Sequence, residues 1–299
     1  MSSGSGGGDA AVGTLGIAIV NYRSADDCAG LVRSLVAHHT GTRPRVAVAI
    51  VDNSDQRREL EPVAEFVRRH GLLVRVIHGH GNVGYAAGNN RAARWLLEAG
   101  ADVVWVLNPD TRITGGALAS ALQLRRAGDC AIGATTSVDA AGGTRPDLGT
   151  LDLWTGRSGQ PPAGPSRTLT YVAGHSVLLT RAAFEKLDGF TEDFFLFYEE
   201  ADVAVRAARL GIPVTVVADL QVDHAGGGAT GASRDLRAKS LTTYFHASRS
   251  CIIFFRKHHR RRLPLAALAR LLYAGRALVV AGPKAAAAVV RGTVAGLLA

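Results

Sequence analysis

The chain has 299 residues, of which 47% are hydrophobic, and its 34 Lys and Arg residues against 25 Asp and Glu residues give a formal net charge of +9. This length and composition allow one large buried core and fit a single α/β domain with an appendage. Three widely separated cysteines, Cys28, Cys130 and Cys251, have neither disulfide nor metal-site spacing. They exclude a disulfide framework, and we expect a reducing, cytoplasmic compartment.

Neither a secretion signal nor a transmembrane helix is expected. Residues 1–12 are rich in Ser and Gly and have no cationic start, so they are interpreted as a flexible leader. The most apolar tract, 263–281, is interrupted by Pro264, Arg270 and Arg276, which argues against a membrane span. Its leucines recur at helical spacing, which favours packing on the protein's own core over an interfacial membrane helix.

A basic run precedes this tract. It consists of Arg256, Lys257, Arg260, Arg261 and Arg262, together with His258 and His259. We interpret it as a solvated cationic face and expect no nucleic acid partner, with an anionic membrane surface as the alternative contact.

The first half of the chain alternates apolar runs with amphipathic ones. Strands are expected at 15–20, 46–51, 72–77 and 103–107, and helices at 28–36, 60–67, 85–97 and 117–124. Such alternation predicts an α/β fold, a mostly parallel sheet with helices on both faces.

The second half is less regular. Residues 141–166 are rich in Gly, Pro, Thr and Asp and are interpreted as an active-site loop. A strand at 168–179, helices at 181–187 and 202–210, a final buried strand at 214–217 and a hinge-like glycine passage at 226–228 follow. We therefore expect three parts: the leader at 1–12, a catalytic domain at 13–230 and a basic, amphipathic helical region at 231–299.

Polar residues follow three of the expected strands and should meet at one edge of the sheet. Asn21 follows Val20, Asp52 follows the second strand, and Asn108 and Asp110 follow the fourth. Asp52 is a candidate acceptor for a pyrimidine N–H or a ribose hydroxyl, and Asn21 for the same nucleoside. The Asp110 carboxylate is a candidate to hold a divalent cation against a diphosphate. Turn and cap roles are the alternative for each residue.

A small-residue segment lies between the third strand and its helix. In the stretch 81–90, Asn82, Gly84 and Tyr85 precede or begin the helix, where backbone can approach a ligand and free N–H groups are offered. A helix start packed tightly on its own strand is the alternative.

Three carboxylates, Glu199, Glu200 and Asp202, come directly after an aromatic run. Burial against aromatic rings would raise a carboxyl pKa towards the range that a general base for a sugar hydroxyl needs. Alternatively, these carboxylates only stabilise the N-terminus of a helix by interacting with the helix dipole. Further along the chain, the imidazole of His224 is a candidate to complete a metal site begun by Asp110.

Taken in order, these segments resemble glycosyltransferase family 2, and especially its bacterial rhamnosyltransferase-like members. The resemblance covers about Leu15 to Gly228. It rests on Val-Asp-Asn-Ser at 51–54, Gly-Asn-Val-Gly-Tyr-Ala-Ala-Gly-Asn-Asn at 81–90, Leu-Asn-Pro-Asp at 107–110, Ala-Gly-His at 173–175, Asp-Gly-Phe at 188–190, Phe-Tyr-Glu-Glu-Ala-Asp at 197–202 and Val-Asp-His at 222–224. It implies a GT-A fold, an inverting mechanism, a nucleotide-diphosphate sugar donor and a divalent cation, Mg²⁺ or Mn²⁺.

The same resemblance implies roles for individual residues. Glu200 stands at the position of the catalytic base, and Asp110 and His224 at metal positions. Asn108 replaces the first carboxylate of the family's metal motif, and an amide oxygen brings less charge to an ion. Acceptor or supporting roles fall to His175, Glu199 and Asp202. The donor site is expected to comprise Val20, Asn21, Asp52, Asn82, Gly84, Tyr85 and Asn108.

The resemblance favours deoxythymidine-diphosphate rhamnose as donor, with UDP- or GDP-sugars behind it, and a glycan, lipid-linked or secondary-metabolite acceptor. Peripheral contact with the inner face of the plasma membrane and a homodimer are left open. Two other functions are weighed. A sugar nucleotidylyltransferase would need a glycine-rich basic loop where residues 21–26 stand, and a membrane-surface scaffold would have a degenerate transferase site.

Overall fold

The computed structural model of the protein describes residues 13–39, 44–138, 142–159, 167–225 and 235–299. The expected leader, the glycine passage and the boundary expected between residues 230 and 231 lie outside the described residues. So does part of the loop expected at 141–166.

Strands and helices alternate along the first half of the chain, as predicted. The strands are β1 Thr14–Asn21, β2 Arg45–Asp52, β3 Leu73–Ile77, β4 Val103–Leu107, β5 Thr111–Gly115, β6 Ile132–Val138, β7 Thr144–Pro146, β8 Leu148–Asp152, β9 Thr168–Val172, β10 Ser176–Thr180 and β11 Val214–His224. The helices are α1 Ala25–His38, α2 Arg57–Arg69, α3 Gly84–Glu98, α4 Arg181–Leu187, α5 Glu199–Leu210, α6 Leu241–His258, α7 Leu263–Ala281 and α8 Pro283–Leu298, with short 3-10 segments at Leu118–Ala127 and Arg260–Arg262.

One mixed sheet carries the fold, in the order β3-β2-β1-β4-β10-β6-β11-β5, with β7 added to β6. Strands β1 to β4 pair in parallel, as do β6 and β11, whereas β10 and β5 are antiparallel to their neighbours. Strand β4 is buried along its whole length and β1 and β2 along almost all of theirs, so their side chains fill the apolar layers on both faces. Burial on both faces explains why these strands read as continuous apolar runs.

Three expected elements differ from the structure. The single strand expected at 168–179 is two strands, because a turn intervenes in which Ser176 N–H donates to Ala173 O at 3.1 Å. The buried strand expected at 214–217 extends to His224, and its first half is largely exposed because it pairs only with β6. The helix expected at 117–124 is the 3-10 segment, and β5 before it was not predicted.

Helix α6 joins the C-terminal helices to the sheet domain. Cys251, Phe254 and Phe255 of α6 are buried with Phe194 and Leu151 of the sheet domain. On its other side, α6 packs against α8 at very short range. A Cβ on Gly296 would lie 2.6 Å from Arg249 O, and Gly292 lies equally tightly against Phe245 O. Small residues at this spacing let the two helix backbones approach closely.

Helix α7 does not pack as the sequence predicts. Its buried residues are Ala266, Arg270, Ala274 and Ala277, and its leucines face outwards. The expectation that the leucine face packs on the core is therefore wrong, because small residues allow the closer helix contact and occupy the inner side. Residues 260–281 are also long and apolar enough, by length and composition, to cross a membrane.

We expect Gly292→Val to lower the free energy of unfolding by about 1–3 kcal/mol, because the added side chain overpacks the contact between α8 and α6. Gly275→Ala on α7 is the matched control, since a Cβ there meets nothing within 4 Å. It should be neutral or stabilise by up to about 1 kcal/mol through helix propensity. Thermal melts of both variants measure the difference, and equal melting temperatures would contradict the close packing.

Candidate active site

The predicted site residues meet at one edge of the sheet because of strand direction. Strands β1, β2, β4 and β11 run the same way, so their carboxyl ends lie together. Strand β10 runs the opposite way, so its beginning lies at that edge too. Three separate stretches of chain therefore meet there: the turn after β4, Gly174 and His175 before β10, and the end of β11.

Asn21 and Asp52 form a buried pair at the ends of β1 and β2. The Asn21 amide nitrogen donates to Asp52 Oδ1 at 3.0 Å and to Ser54 Oγ at 3.1 Å. Its oxygen accepts from Ser24 N–H at 3.1 Å. With both ends of its amide engaged and no exposed surface, Asn21 holds Asp52 in place, and the expected contact of Asn21 with the nucleoside is not supported.

Asp52 keeps one oxygen available. Its Oδ1 also accepts from the N–H and the hydroxyl of Ser54, both at 3.1 Å. Oδ2 is buried and has no hydrogen-bond partner among the described residues. A buried carboxylate oxygen without a donor is costly, and a donor from a bound ligand would remove that cost.

The loop at 82–85 contacts protein where a ligand was expected. Gly84 N–H donates to Asn82 Oδ1 at 3.0 Å, and Tyr85 N–H donates to Phe195 O at 2.8 Å. A Cβ on Gly84, whose φ is +84°, would lie 2.5 Å from Phe195 O. The N–H groups of Gly84 and Tyr85 are therefore used within the protein, and the expectation that these two are free for the donor is wrong.

Val20 is likewise part of the core. Its side chain is buried and lies against Gly88 of α3, where a Cβ would be 2.9 Å from Val20 Cγ2. Its expected role in binding the donor is therefore not supported for the side chain, which packing fully occupies.

Asp110 and His224 lie side by side. His224 is opposite Thr111 in the β11–β5 ladder, and this register places Asp110 Oδ1 3.2 Å from His224 Nε2. Asn108 shapes the turn through its backbone, since its N–H donates to His175 O at 3.0 Å and its carbonyl accepts from Thr111 N–H at 3.1 Å. A carboxylate and an imidazole at this distance are suitable ligands for one divalent cation.

His175 connects this pair to a residue that the sequence did not single out. Its ring stacks on His224 with centroids 4.4 Å apart, and its Nε2 lies 3.7 Å from Asp147 Oδ1. Asp147 is buried and accepts from Thr135 Oγ1 at 2.8 Å. Burial opposes ionisation of Asp147, but His175 and Thr135 stabilise the charge and hold its pKa below the usual value. No motif marked Asp147, which lies in the segment interpreted as a loop.

Gly174 places Glu200 next to Tyr85. Its N–H donates to the Glu200 carboxylate, and a Cβ on Gly174 would lie 2.8 Å from Glu200 Oε1. Its carbonyl accepts from the Tyr85 hydroxyl. Since His175 is the next residue, one short stretch touches both Glu200 and the Asp110–His224 pair. Burial raises the pKa of Tyr85 well above its usual range, so its hydroxyl stays protonated and can donate.

Glu199 and Glu200 begin α5 after a strained stretch of backbone. Phe197 and Tyr198 have φ of 70° and 73°, values that non-glycine residues rarely adopt. This conformation lets the Phe197 N–H donate to the Glu199 carboxylate. Glu199 is 3% exposed, and its Oε2 has no hydrogen-bond partner within the described ranges.

Both glutamates have raised pKa values. Burial raises the pKa of Glu199 well above its usual range, and the charge of Glu200 raises it further. Burial also raises the pKa of Glu200, although hydrogen bonds from its own N–H and that of Gly174 oppose the shift. Glu199 is the more deeply buried of the two, and its pKa is raised the more strongly.

Asp202 is anchored on the far side of α5. Its oxygens accept from Thr191 Oγ1 at 2.6 Å and Arg206 Nε at 2.7 Å, and lie 2.7 Å from His258 Nε2. Burial would raise its pKa, but His258, Arg206 and Thr191 together hold that pKa below the usual value. These contacts make Asp202 a support for α5 and leave it no free oxygen for an acceptor. His258, expected on a solvated cationic face, is buried.

Within the described residues, no group of three or more His, Cys, Asp or Glu side chains is arranged to hold a metal ion. The Asp110–His224 pair is a two-ligand arrangement. Cations of the Mg²⁺ type are commonly held by one or two protein ligands together with substrate phosphates.

Comparison with known proteins identifies the family. Residues 16–188 match glycosyl transferase family 2, a range that contains Asp52, Asp110 and His175 and ends before Glu200. The low-salt glycan biosynthesis hexosyltransferase Agl10 of Haloferax volcanii is 28% identical over 207 residues. The match covers 67% of this chain and 63% of that protein, so the chain spans less than two thirds of that relative's length.

Solved structures share the fold. GalNAc-T7 with UDP, GalNAc and Mn²⁺ has a TM-score of 0.56 at 16% identity, over 81% of this chain and 51% of that one. The mannosyltransferase PcManGT of Pyrobaculum calidifontis, in complex with GDP-Man and Mn²⁺, has a TM-score of 0.53 at 16% identity, over 96% and 88%. The mixed sheet flanked by helices is thus of the GT-A type, as the resemblance implied. The chain belongs to glycosyl transferase family 2.

Proposed function

We propose that this protein transfers a hexose, with inversion, from a nucleotide-diphosphate sugar to an acceptor hydroxyl, and that Glu200 is the catalytic base. One observation carries the proposal. Gly174 and His175 are adjacent in the chain and touch Glu200 on one side and His224 beside Asp110 on the other. A base for the acceptor and a cation site for the diphosphate thus border the same stretch of backbone.

In this mechanism, Glu200 takes the proton from the acceptor hydroxyl as that oxygen attacks the anomeric carbon. The bond from the anomeric carbon to the diphosphate oxygen breaks, and its electron pair leaves with the nucleotide. Attack from the opposite face inverts the anomeric centre. The raised pKa of Glu200 suits this task, and the rate should fall as pH drops through that pKa.

Asp110 and His224 would hold the divalent cation. When bound, a cation of this kind neutralises negative charge on the departing diphosphate. The ligand chemistry fits, since the two side chains converge to 3.2 Å and both are partly exposed. An imidazole ligand suits Mn²⁺ better than Mg²⁺, which prefers oxygen.

At the other end of the donor, the available Asp52 Oδ2 would accept a hydrogen bond from the base or the ribose, while Asn21 fixes the carboxylate. We propose deoxythymidine-diphosphate rhamnose as the donor on the sequence resemblance. UDP- and GDP-sugars come next, since structurally similar proteins bind UDP and GDP-Man. A glycan, lipid-linked or secondary-metabolite acceptor and a cytoplasmic location complete the proposal. The nucleotidylyltransferase and scaffold alternatives gain no support from the family match.

Glu200→Gln should leave donor binding unchanged and lower kcat by about 10²-fold or more, because an amide cannot take the proton. The exposed Glu185→Gln on α4 removes the same charge and should transfer sugar at the wild-type rate. Sugar transfer measured beside nucleotide affinity separates the two effects. Near wild-type turnover by Glu200→Gln would remove this residue from the role of base.

Asp110→Ala should weaken Mn²⁺-dependent binding of UDP, GDP or deoxythymidine diphosphate by about tenfold or more, a loss typical of a damaged metal site. Asp129→Ala, at an exposed position, is the control. Calorimetry with and without Mn²⁺ measures both variants. An unchanged Mn²⁺-dependent affinity in Asp110→Ala would show that the carboxylate holds no cation.

Glu199→Gln should stabilise the protein at about pH 8 and much less near pH 5. A carboxyl with a raised folded pKa contributes stability below its unfolded pKa and loses it as pH rises through the folded pKa. Wild type therefore loses stability on going to alkaline pH, which glutamine avoids. Melting temperatures across this pH range test the sign, with exposed Glu98→Gln as control. A gain independent of pH would contradict the raised pKa of Glu199.

A further inference from the structure

The outward side of α7 is a continuous apolar surface. Its members are Leu265, Leu268, Leu271, Leu272, Leu278 and Val279, of which Leu272 is 69% and Val279 86% exposed. At the helical rotation per residue these side chains span an arc of about 140°, with only Pro264 and Gly275 between them and no charge. Exposed apolar patches of this extent mark interaction sites.

Helix α8 repeats the pattern beside it. Val290, Val294 and Leu298 are exposed, whereas Ala285, Val289 and Gly292 face inwards. The two helices pack along each other, and we call their exposed sides together the outer face of α7–α8.

Basic residues border this face. Arg276 lies at the edge of the apolar arc on α7, and Lys284 and Arg291 take the corresponding edge on α8. Residues 241–299 contain ten Arg and Lys residues and no Asp or Glu, so the entire positive excess of the chain lies here. An apolar face with cationic edges is the pattern of helices that lie in the interface of an anionic membrane.

We propose that the outer face of α7–α8 docks on an anionic lipid bilayer, with both helices lying along the surface. Arg270, midway along α7, is only 8% exposed and donates to Thr155 O at 3.5 Å. Ala266, Ala274 and Ala277 are buried on the same side, so α7 is held to the protein along its length and lies flat on the bilayer. A second copy of this chain is the less suitable occupant, because two such faces would bring like charges together.

Helix α7 shares an apolar cluster with the helix that carries Glu200. Ala266 of α7 is buried in the same cluster as Ala201, the residue after Glu200, and Leu151 of β8. Trp154, exposed at the end of that strand, lies between the guanidinium groups of Arg262 and Arg167, with carbons 5.6 and 5.7 Å from the ring centroid. Tryptophan beside arginine is common at the membrane interface.

Sedimentation of the full chain with lipid vesicles tests the proposal. The wild type should bind vesicles of phosphatidylglycerol and phosphatidylcholine in equal parts, bind pure phosphatidylcholine at least about tenfold more weakly, and detach as salt is raised. Leu272→Glu with Val279→Glu should reduce binding by about tenfold or more. Leu73→Glu with Leu210→Glu makes the same charge change at exposed leucines elsewhere and should bind as wild type.

Three results would overturn the proposal: no binding of the wild type to anionic vesicles, equal binding by the α7 variant, or equal loss in the control. Light scattering tests whether a second copy of the chain covers this face instead. If the wild type is a dimer that does not bind vesicles, and the α7 variant is a monomer, the face is a dimer interface and the proposal is wrong. Donor hydrolysis by all variants is measured in parallel. It should stay at the wild-type level, so a failure of docking is distinguishable from a failure of the proposed transferase activity.

Discussion

The site depends on the antiparallel insertion of β10 between β4 and β6. Ser176, the first residue of β10, is fully buried and bonded to Trp105 Nε1 at 2.9 Å and Thr135 Oγ1 at 2.8 Å, which anchors the strand on both sides. The two residues before it, Gly174 and His175, are thereby held at the edge where the parallel strands end. If β10 were parallel to its neighbours, its C-terminal end would lie at this edge of the sheet. Gly174 and His175, which contact Glu200 and His224, would then lie at the opposite edge.

The ionisable side chains at this edge of the sheet differ in how deeply they are buried. The Asp110–His224 pair is partly open to solvent. Glu199 is closed off, and its pKa is raised in consequence. Between them, Glu200 is half-buried and bonded to backbone, the intermediate environment that leaves a carboxylate ionisable yet basic.

The positions of several site residues could be predicted from the sequence. Apolar runs locate the strands, and in a parallel sheet the residues that follow those strands lie at one edge. The apolar runs that precede Asn21, Asp52 and Asp110 predict that these three residues lie at the same edge of the sheet. What each side chain contacts was not predictable in the same way. Asn21 and Gly84 looked free to meet a ligand, and they are used within the protein, since hydrogen bonds between distant segments leave no local pattern. For the same reason the sequence did not indicate Asp147, and it placed His258 on a solvated face. The buried side of α7 was predicted wrongly because small residues, rather than leucines, make the close helix contact.

The buried contact between Asp202 and His258 ties helix α5 to the C-terminal region. Asp202 lies in the same first turn of α5 as Glu200, and His258 ends α6. Both side chains are almost fully enclosed, with exposures of 1% for Asp202 and 5% for His258. A displacement of α6 that keeps this contact moves the first turn of α5 with it, so the position of the C-terminal helices is coupled to the position of Glu200.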